Sequence, residues 1–422
     1  MATSSSGSAD GPVMKTDGPI VIIGAGEAGA TLAADLARRG NSLPIHLVGA
    51  EDCAPYERPP LSKAHLEPDE IARVVPLFAG GDIPDAIIHH RGVHALRIDR
   101  AARTVELSDG QRLDYGRLVL ATGAASRRLP IAEGIVGIHY LRNLREAQAL
   151  RPLLLAGGPI AILGAGFIGL EVAAAARKHG TAVSVIEPQA RILARGVSAS
   201  IAGKVQELHE RNGVAFRLGT SVSTIDRSGD TIALILSDGG TIAATTIVIG
   251  IGAVPEVALA REAGLMVDNG ITVDARLQTS DPAILAIGDC CAFPLSIYGG
   301  RRVRLESWRN ARDQAAMAAA LLSGEAIGEM PLPWFWSDQY DHGLQVAGLI
   351  DEGGTEILRR PNEDVLMSFH LAADGRLVAA QGFGPGQAVA RDIRLAEMLI
   401  GRGARPDPAF LADPSVKLKS LL

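Results

Sequence analysis

Two stretches of this 422-residue chain set glycines where a phosphate group can be gripped. Gly24-Ala25-Gly26-Glu27-Ala28-Gly29 follows the apolar run Ile20-Val21-Ile22-Ile23. Gly164-Ala165-Gly166-Phe167-Ile168-Gly169 follows Ile160-Ala161-Ile162-Leu163 in the same way. In a G-x-G-x-x-G turn the first glycine permits the tight strand-to-helix reversal, and the second lets backbone approach a pyrophosphate. The third allows close helix–strand packing, while the helix N-terminus offers N–H groups and a positive dipole end. Glycines that merely make turns would explain a single copy. Two copies, each between an apolar strand and a helix, predict two dinucleotide sites.

The positioning elements can be read around these motifs. Ala30 to Arg39 reads as a helix stopped by Gly40, and Ile45-His46-Leu47-Val48 returns as a strand, closing a βαβ unit. The second copy continues with a helix to Lys178, then Gly180, then a strand from Ala182 to Ile186. Thr104 to Gly110 and Ile232 to Gly240 read as hairpins built on Asp-Gly turns. Each is followed by a strand ending in glycine, Leu118 to Gly123 and Ile247 to Gly252, so the two halves look like duplicates of one design. Beyond Leu332 the composition shifts: Pro331 and Pro333 bracket a break, and Trp334-Phe335-Trp336 opens a set of strand-like pieces. The expected fold is α/β, with two Rossmann-like three-layer dinucleotide-binding domains and a C-terminal α+β domain. The boundaries expected are 18–130 with 256–327 for a discontinuous first domain, 131–255 for the second, and 328–422 for the third.

Composition excludes several classes. Apolar residues make up 47% and charged residues 21%, as in a soluble chain with a full core. A formal charge of −6 and only 4% aromatics argue against nucleic-acid binding. No apolar run approaches the roughly 18 residues of a bilayer span. Residues 1–17 lack the basic start and apolar core of a signal peptide and read as a disordered tail, so the cytoplasm is the expected location. Three cysteines are too few for a disulfide framework or a four-ligand zinc site. Cys290 and Cys291 read as small buried apolar residues. Cys53 stands alone, so the CxxC or CxxxxC pair that relays electrons to sulfur is missing; single-cysteine peroxide chemistry at Cys53 is the lesser alternative. His89, His90 and His94 have no acidic partner nearby in sequence and read as surface or core residues, so no metal is expected.

More specific stretches accompany the glycine motifs. They are Pro55-Tyr56-Glu57-Arg58-Pro59-Pro60-Leu61-Ser62-Lys63, Ala121-Thr122-Gly123, Gly288-Asp289, Arg304-Leu305-Glu306-Ser307, and Pro333-Trp334-Phe335-Trp336-Ser337-Asp338-Gln339-Tyr340. On these residues the chain resembles, over nearly its whole length, the FAD-dependent ferredoxin reductases of bacterial oxygenase systems (the putidaredoxin reductase and biphenyl dioxygenase reductase type). These are flavoproteins of the glutathione-reductase-like class. The resemblance implies that Gly24, Gly26, Ala28 and Gly29 hold FAD, and that Gly164, Gly166, Phe167, Ile168 and Gly169 hold the nicotinamide nucleotide, with Gly252 nearby. It implies that Ala121, Thr122, Gly123, Arg142 and Gly288 contact FAD, and that Arg58 and Lys63 lie beside the isoalloxazine. Asp289 follows the strand Ile284-Leu285-Ala286-Ile287 and Gly288, and is implied to bond the ribityl chain; an ordinary helix N-cap is the alternative. Trp336 is implied to cover the flavin, with a domain-interface aromatic as the alternative. Trp308 stands where the family often has a small apolar residue, with core packing as its alternative. The family's ribose-gripping acid is absent, because Val48-Gly49 leads into Ala50; either Glu51 takes that role or backbone and water hold the ribose.

Glu187 ends the second strand of the second unit, where a carboxylate accepts both ribose hydroxyls of NADH. It would repel a 2′-phosphate by about 4 kcal/mol per unit charge at roughly 4 Å and an effective dielectric near 20. NADH is therefore expected over NADPH, the single Arg191 beyond the acid notwithstanding. Glu171 falls in the first turn of the second helix; it is either a helix-dipole carboxylate or, as the resemblance implies, the partner of Lys63 that orients the nicotinamide. Lys63, Glu171 and Trp336 are thus the expected catalytic set. The implied activity is transfer of hydride from NADH to FAD, then of single electrons to a [2Fe–2S] ferredoxin that feeds a Rieske-type oxygenase or a cytochrome P450. An NADH oxidase, a monodehydroascorbate-like reductase and an apoptosis-inducing-factor-like binding flavoprotein are the alternatives, the chain acting as monomer or homodimer. Arg301, Arg302, Arg304, Arg309 and Arg312 face only Glu306 within 301–312, and are expected to dock the acidic ferredoxin unless they are solvated or engaged in internal pairs.

Overall fold

The strand Ile20–Ile23 lies at the centre of a five-stranded parallel sheet. Its neighbours on one side are Ile45–Gly49 and then Ile87–Arg91; on the other they are Arg117–Leu120 and then Ile284–Ala286. None of its four residues is more than 5% exposed, as expected of β-branched side chains in a parallel sheet covered on both faces. The computed structural model describes residues 18–67 and 74–422, so the expected loose tail at 1–17 lies outside the described residues.

A second parallel sheet repeats the design around Ile160–Leu163. Its order is Val214–Leu218, Val183–Glu187, Ile160–Leu163, Thr246–Ile249 and Ile138–His139. Each unit carries a three-stranded antiparallel sheet, Ala95–Asp99 with Thr104–Leu107 and Arg112–Asp114, or Val222–Ser228 with Thr231–Leu236 and Thr241–Ala244. The duplicated texture of the sequence is thus a duplicated topology. The strand Ile284–Ala286 returns to the first sheet after the whole second unit has been built. Where the chain crosses between units, Ala124–Ser126 pairs antiparallel with Ala253–Pro255.

Both helices start earlier than their apolar periodicity suggests. Glu27–Arg38 and Phe167–Lys178 begin inside the glycine motifs, with Gly26 and Gly166 as N-caps that have no side chain to offer. The first N–H groups of each helix are therefore left for something else. The glycines are required sterically. Gly24 has φ +111°, and a Cβ there would sit 2.1 Å from the Ala121 carbonyl oxygen; one on Gly29 would sit 1.9 Å from the Gly24 carbonyl oxygen. A Cβ on Gly26 would meet only the Arg58 guanidinium, at 3.9 Å, so no clash requires this glycine.

The C-terminal unit is a five-stranded antiparallel sheet in the order Trp334–Gln339, His342–Gly348, Leu377–Pro385, Leu366–Leu371, Thr355–Arg359. Helix Ala390–Gly401 packs on one side, where Val389, Ile393 and Leu399 join Phe369 in a buried core. Leu344, Val346, Leu366 and Phe383 pack in one cluster with Ile201, Val205 and Leu208 of the second unit. This shared core fixes the Trp334–Gln339 strand against the second glycine-motif helix. Cys290 and Cys291 are fully buried, and burial pushes both thiols up in pKa.

Candidate functional site

All three units contribute to one cavity of about 430 Å³, within the usual size range of ligand sites. Gly24, Gly26 and Ala28 line it from the first motif, and Phe167, Ile168 and Glu171 from the first turns of the second helix. Glu51, Arg58 and Lys63 come from the segment after the second strand, Ala121, Thr122 and Gly123 from the turn beyond the fourth. Arg142, Gly288, Asp289, Trp308 and Trp336 complete the expected set that meets here. Gly29 does not line the cavity, being packed against the Gly24 carbonyl. Gly164, Gly166, Gly169 and Glu187 stand at the second glycine turn outside its walls, and Gly252 lies at the crossing strands, where its carbonyl accepts from the Arg127 N–H at 2.9 Å.

Two ion-pair assemblies organise the walls. In the first, Arg142 donates through Nη2 to Asp289 Oδ2 at 2.7 Å and through Nε to the Ala124 carbonyl at 2.7 Å. Asp289 therefore belongs to a half-buried pair and is not a helix N-cap. Arg58 donates to the Arg142 carbonyl at 2.6 Å and to Glu51 Oε1 at 2.7 Å, and Tyr56 donates its hydroxyl to Glu51 Oε2 at 2.5 Å. Burial pushes the Tyr56 phenol up, so it stays a donor. Each oxygen of Glu51 thus has a protein partner, and its visible work is to hold Arg58 and Tyr56 in place.

In the second assembly Lys63 Nζ lies 2.9 Å from Glu171 Oε1. Glu171 also accepts from the Ser62 hydroxyl and, at 2.5 Å, from the Ser337 hydroxyl. Gln339 Nε2 donates to Ser337 Oγ at 2.8 Å, and its Oε1 accepts from His209 Nε2 at 2.9 Å. His209, Ser337 and Gln339 have no exposed surface. Burial lowers the His209 pKa to about 4, so the ring is neutral and donates through Nε2. The donors run in one direction, from His209 to the Glu171 carboxylate, across the second and third units. Lys63 also stands over the Trp336 ring at 5.9 Å, and Trp336 meets Trp308 edge-on at 5.8 Å and Trp334 in a stack at 5.5 Å.

Glu187 accepts from the Ala165 N–H at 2.8 Å and the Gln189 N–H at 2.9 Å, which holds its carboxylate against the second glycine turn. Arg191 spends its guanidinium on the carbonyls of Ile192, Leu193, Ala194 and Val197. It is turned inward and does not offset the acid.

Most of the arginines of the expected basic patch are engaged in internal contacts, the alternative weighed for them. Arg301 pairs with Asp351 and Glu352, Arg304 with Glu306, and Arg309 with Glu397 and Asp313. Arg302 donates to the carbonyls of Val273 and Ala292. Arg312 stacks on Trp308 at 4.6 Å and reaches Glu27 at 3.6 Å. Much of the excess positive charge counted along 301–312 is offset, by Asp351, Glu352 and Glu397 from distant parts of the chain and by Asp313 nearby. Of the histidine trio, His90 bonds His46 at 2.9 Å, and no group of three or more His, Cys, Asp or Glu able to hold a metal occurs among the described residues. Cys53 lines the cavity, but burial and the charge of Glu51 push its thiol up, against the thiolate that peroxide chemistry needs.

A dinucleotide fits what these residues offer. Gly26, the N-cap of the first helix, lines the cavity without a side chain to cover the helix N-terminus, and the indole Nε1 of Trp308, a donor, is buried at the cavity with no well-formed hydrogen bond. Sequence reasoning missed Glu27, Tyr56, Ser62, Ser337, Gln339 and His209. All but His209 lie inside quoted motifs, so their position was the available signal; His209 had none.

A first glycine cradle that lines the cavity, a second whose helix reaches it through Phe167, Ile168 and Glu171, and the lack of a CxxC or CxxxxC pair among the described residues define a two-nucleotide oxidoreductase. Residues 18–315 match the pyridine nucleotide-disulphide oxidoreductase family and residues 334–422 the reductase C-terminal family. The chain belongs to the pyridine nucleotide-disulphide oxidoreductases, in the group that carries this C-terminal domain. It is 44% identical over 408 residues to the anthranilate 1,2-dioxygenase system ferredoxin–NAD(+) reductase component of Burkholderia cepacia, spanning 96% of this chain and 99% of that protein. It is 40% identical over 407 residues to rhodocoxin reductase of Rhodococcus erythropolis, spanning 95% and 93%. Its fold superposes on the reductase in the crystal structure of the covalent putidaredoxin reductase–putidaredoxin complex with a TM-score of 0.90 and 36% identity, covering 96% of this chain and 98% of that one.

Proposed function

We propose the following division of labour for this FAD-dependent ferredoxin–NAD(+) reductase, which carries electrons from NADH to a [2Fe–2S] ferredoxin serving an oxygenase. Bound FAD supplies the exchange between two-electron and one-electron chemistry; the chain supplies position, charge and exclusion of water. Residues 18–130 and 256–327 form the FAD domain, 131–255 the NAD domain and 328–422 the covering domain. The return of the strand Ile284–Ala286 to the first sheet supports that division. Gly24 to Gly29 and the N-terminus of their helix hold the FAD diphosphate, with Asp289 and Arg142 beside the ribityl chain. Lys63, anchored by Glu171, sits at the face where nicotinamide and flavin meet, and Trp336 with Trp308 shields that face from water. Glu187 takes the ribose hydroxyls of NADH and disfavours NADPH.

The observation that carries this reading is the Lys63–Glu171 pair, which joins residues of the first and second units at a cavity both motifs reach. Ferredoxin docking narrows to the Arg312 edge of that cavity. Arg312 is 46% exposed, and its carboxylate contact among the described residues, with Glu27, is 3.6 Å long. A cytoplasmic location is part of the same proposal; among the described residues no helix is long and apolar enough to cross a membrane. With NADH as donor, the protein should reduce a [2Fe–2S] ferredoxin far faster than it reduces oxygen or a quinone. Oxygen reduction as fast as ferredoxin reduction would favour the oxidase instead.

A further inference from the structure

Glu27 is the first residue of the helix Glu27–Arg38, in the middle of the first glycine motif, where dinucleotide binding requires no acid. Its side chain is only 10% exposed and lines the cavity; both oxygens are buried, and the donors beside them, Thr31 and Trp308, form no well-aligned hydrogen bond with them. Few charges face it. Thr31 lies one turn on in its own helix, Glu57 stands in the segment after the second strand, and Trp308 and Arg312 lie on helix Trp308–Leu322. Arg58, across Gly26, is committed to Glu51 and the Arg142 carbonyl. The other charged groups on the cavity wall, Asp289, Glu306 and Lys63, are held by Arg142, Arg304 and Glu171. Arg312 reaches Glu27 at 3.6 Å, but it is nearly half exposed, so its charge is screened by solvent. Burial raises the Glu27 pKa to about 7, with Glu57 adding to the rise and Arg312, Thr31 and Trp308 opposing it. Near neutral pH this carboxyl is poised between its two forms.

An anionic diphosphate on this helix N-terminus brings negative charge toward Glu27 and displaces water from the same cavity. Both changes disfavour the carboxylate relative to the neutral acid. We propose that Glu27 takes up a proton when FAD seats on the first cradle, so that FAD affinity depends on pH through this one side chain. The inference rests on the assignment of the cavity to FAD. The sign follows from linkage: the bound form holds more protons than the free form, so FAD binds more tightly as pH falls. The dependence is confined to the interval from about 7, the value without ligand, up to the higher value in the complex. Within that interval the slope approaches tenfold per pH unit; outside it the slope vanishes.

The test uses the full-length chain stripped of FAD and titrated with FAD at pH 6, 7, 8 and 9, followed by quenching of flavin fluorescence. The wild-type Kd should rise about tenfold or more between pH 7 and pH 9. Glu27→Gln keeps the shape and cannot ionise, so its Kd should stay within about twofold over the same range. Calorimetric titration of the wild type at pH 8, in two buffers of different ionisation enthalpy, should show a substantial fraction of one proton taken up, with no variant needed. A wild-type Kd that is flat from pH 7 to 9, an absence of proton uptake, or an unchanged slope in the folded Glu27→Gln chain would each overturn the inference. FAD binding without that linkage overturns it alone, whereas a chain that binds no FAD at any pH overturns the cavity assignment and the inference with it.

Discussion

Replacing Lys63 by Met and Glu171 by Gln, singly and together, probes the joint between the two nucleotide sites. The charges are 2.9 Å apart, with side chains 19% and 3% exposed. At an effective dielectric of 20, Coulomb attraction at that separation is about 6 kcal/mol before desolvation is subtracted. Removing one partner of such a buried pair commonly costs about 3–5 kcal/mol, because the other charge is left uncompensated. Here the cost is softened, since Ser62 and Ser337 still donate to Glu171 when Lys63 is gone. Unfolding of a multidomain cofactor protein gives no well-defined free energy, so the assay should read a rate. With FAD content matched, flavin reduction by NADH is followed in a single turnover. Each single change should slow it about 10–100-fold, and the double change should be no slower than the slower single. That corresponds to a coupling of roughly 1.4–2.7 kcal/mol. Effects that simply multiply, with coupling below about 0.5 kcal/mol, would show that the two side chains act separately and would refute the reasoning.

Three further outcomes follow from the geometry. Glu187→Ala should narrow the preference for NADH over NADPH, read as the ratio of kcat/KM values; a wild type that already uses both equally would contradict the role given to this carboxylate. Arg312→Gln should slow ferredoxin reduction several-fold at low salt and little at high salt, while ferricyanide reduction stays near normal; equal losses with both acceptors would mean that Arg312 supports the cavity instead of the partner. His209 is held neutral with its pKa near 4, below the ordinary 6.5, so its contribution to stability is full above pH 6.5 and is lost as pH falls through 4. His209→Gln should flatten the fall in apparent unfolding temperature over that interval; an unchanged pH profile would refute it.

The parts of the fold that were legible in the sequence are those set by local chemistry. Two glycine motifs, each after an apolar strand, carried the two parallel sheets, and Asp-Gly turns carried the hairpins. The start of each helix was misjudged, because apolar periodicity marks the buried face and says nothing about the free N–H groups at Glu27 or Phe167. The site was legible wherever its residues sat in distinctive stretches, as Lys63 and Trp336 do. What could not be read were pairings between distant parts of the chain. Arg301 meets Asp351 and Glu352, and Arg309 meets Glu397, so a local count of charge gave the wrong field. His209 reaches Glu171 only through Gln339 and Ser337, residues more than 120 positions away from it. No spacing rule along the chain encodes such a contact.

Electron accounting under anaerobic conditions tests the central claim most directly. The purified protein, with one FAD per chain, is mixed with a [2Fe–2S] ferredoxin in excess and titrated with NADH while both chromophores are recorded. The account predicts two ferredoxins reduced per NADH consumed, with almost no such transfer from NADPH. NADH consumed without reduction of ferredoxin, or a protein that holds no FAD, would contradict it.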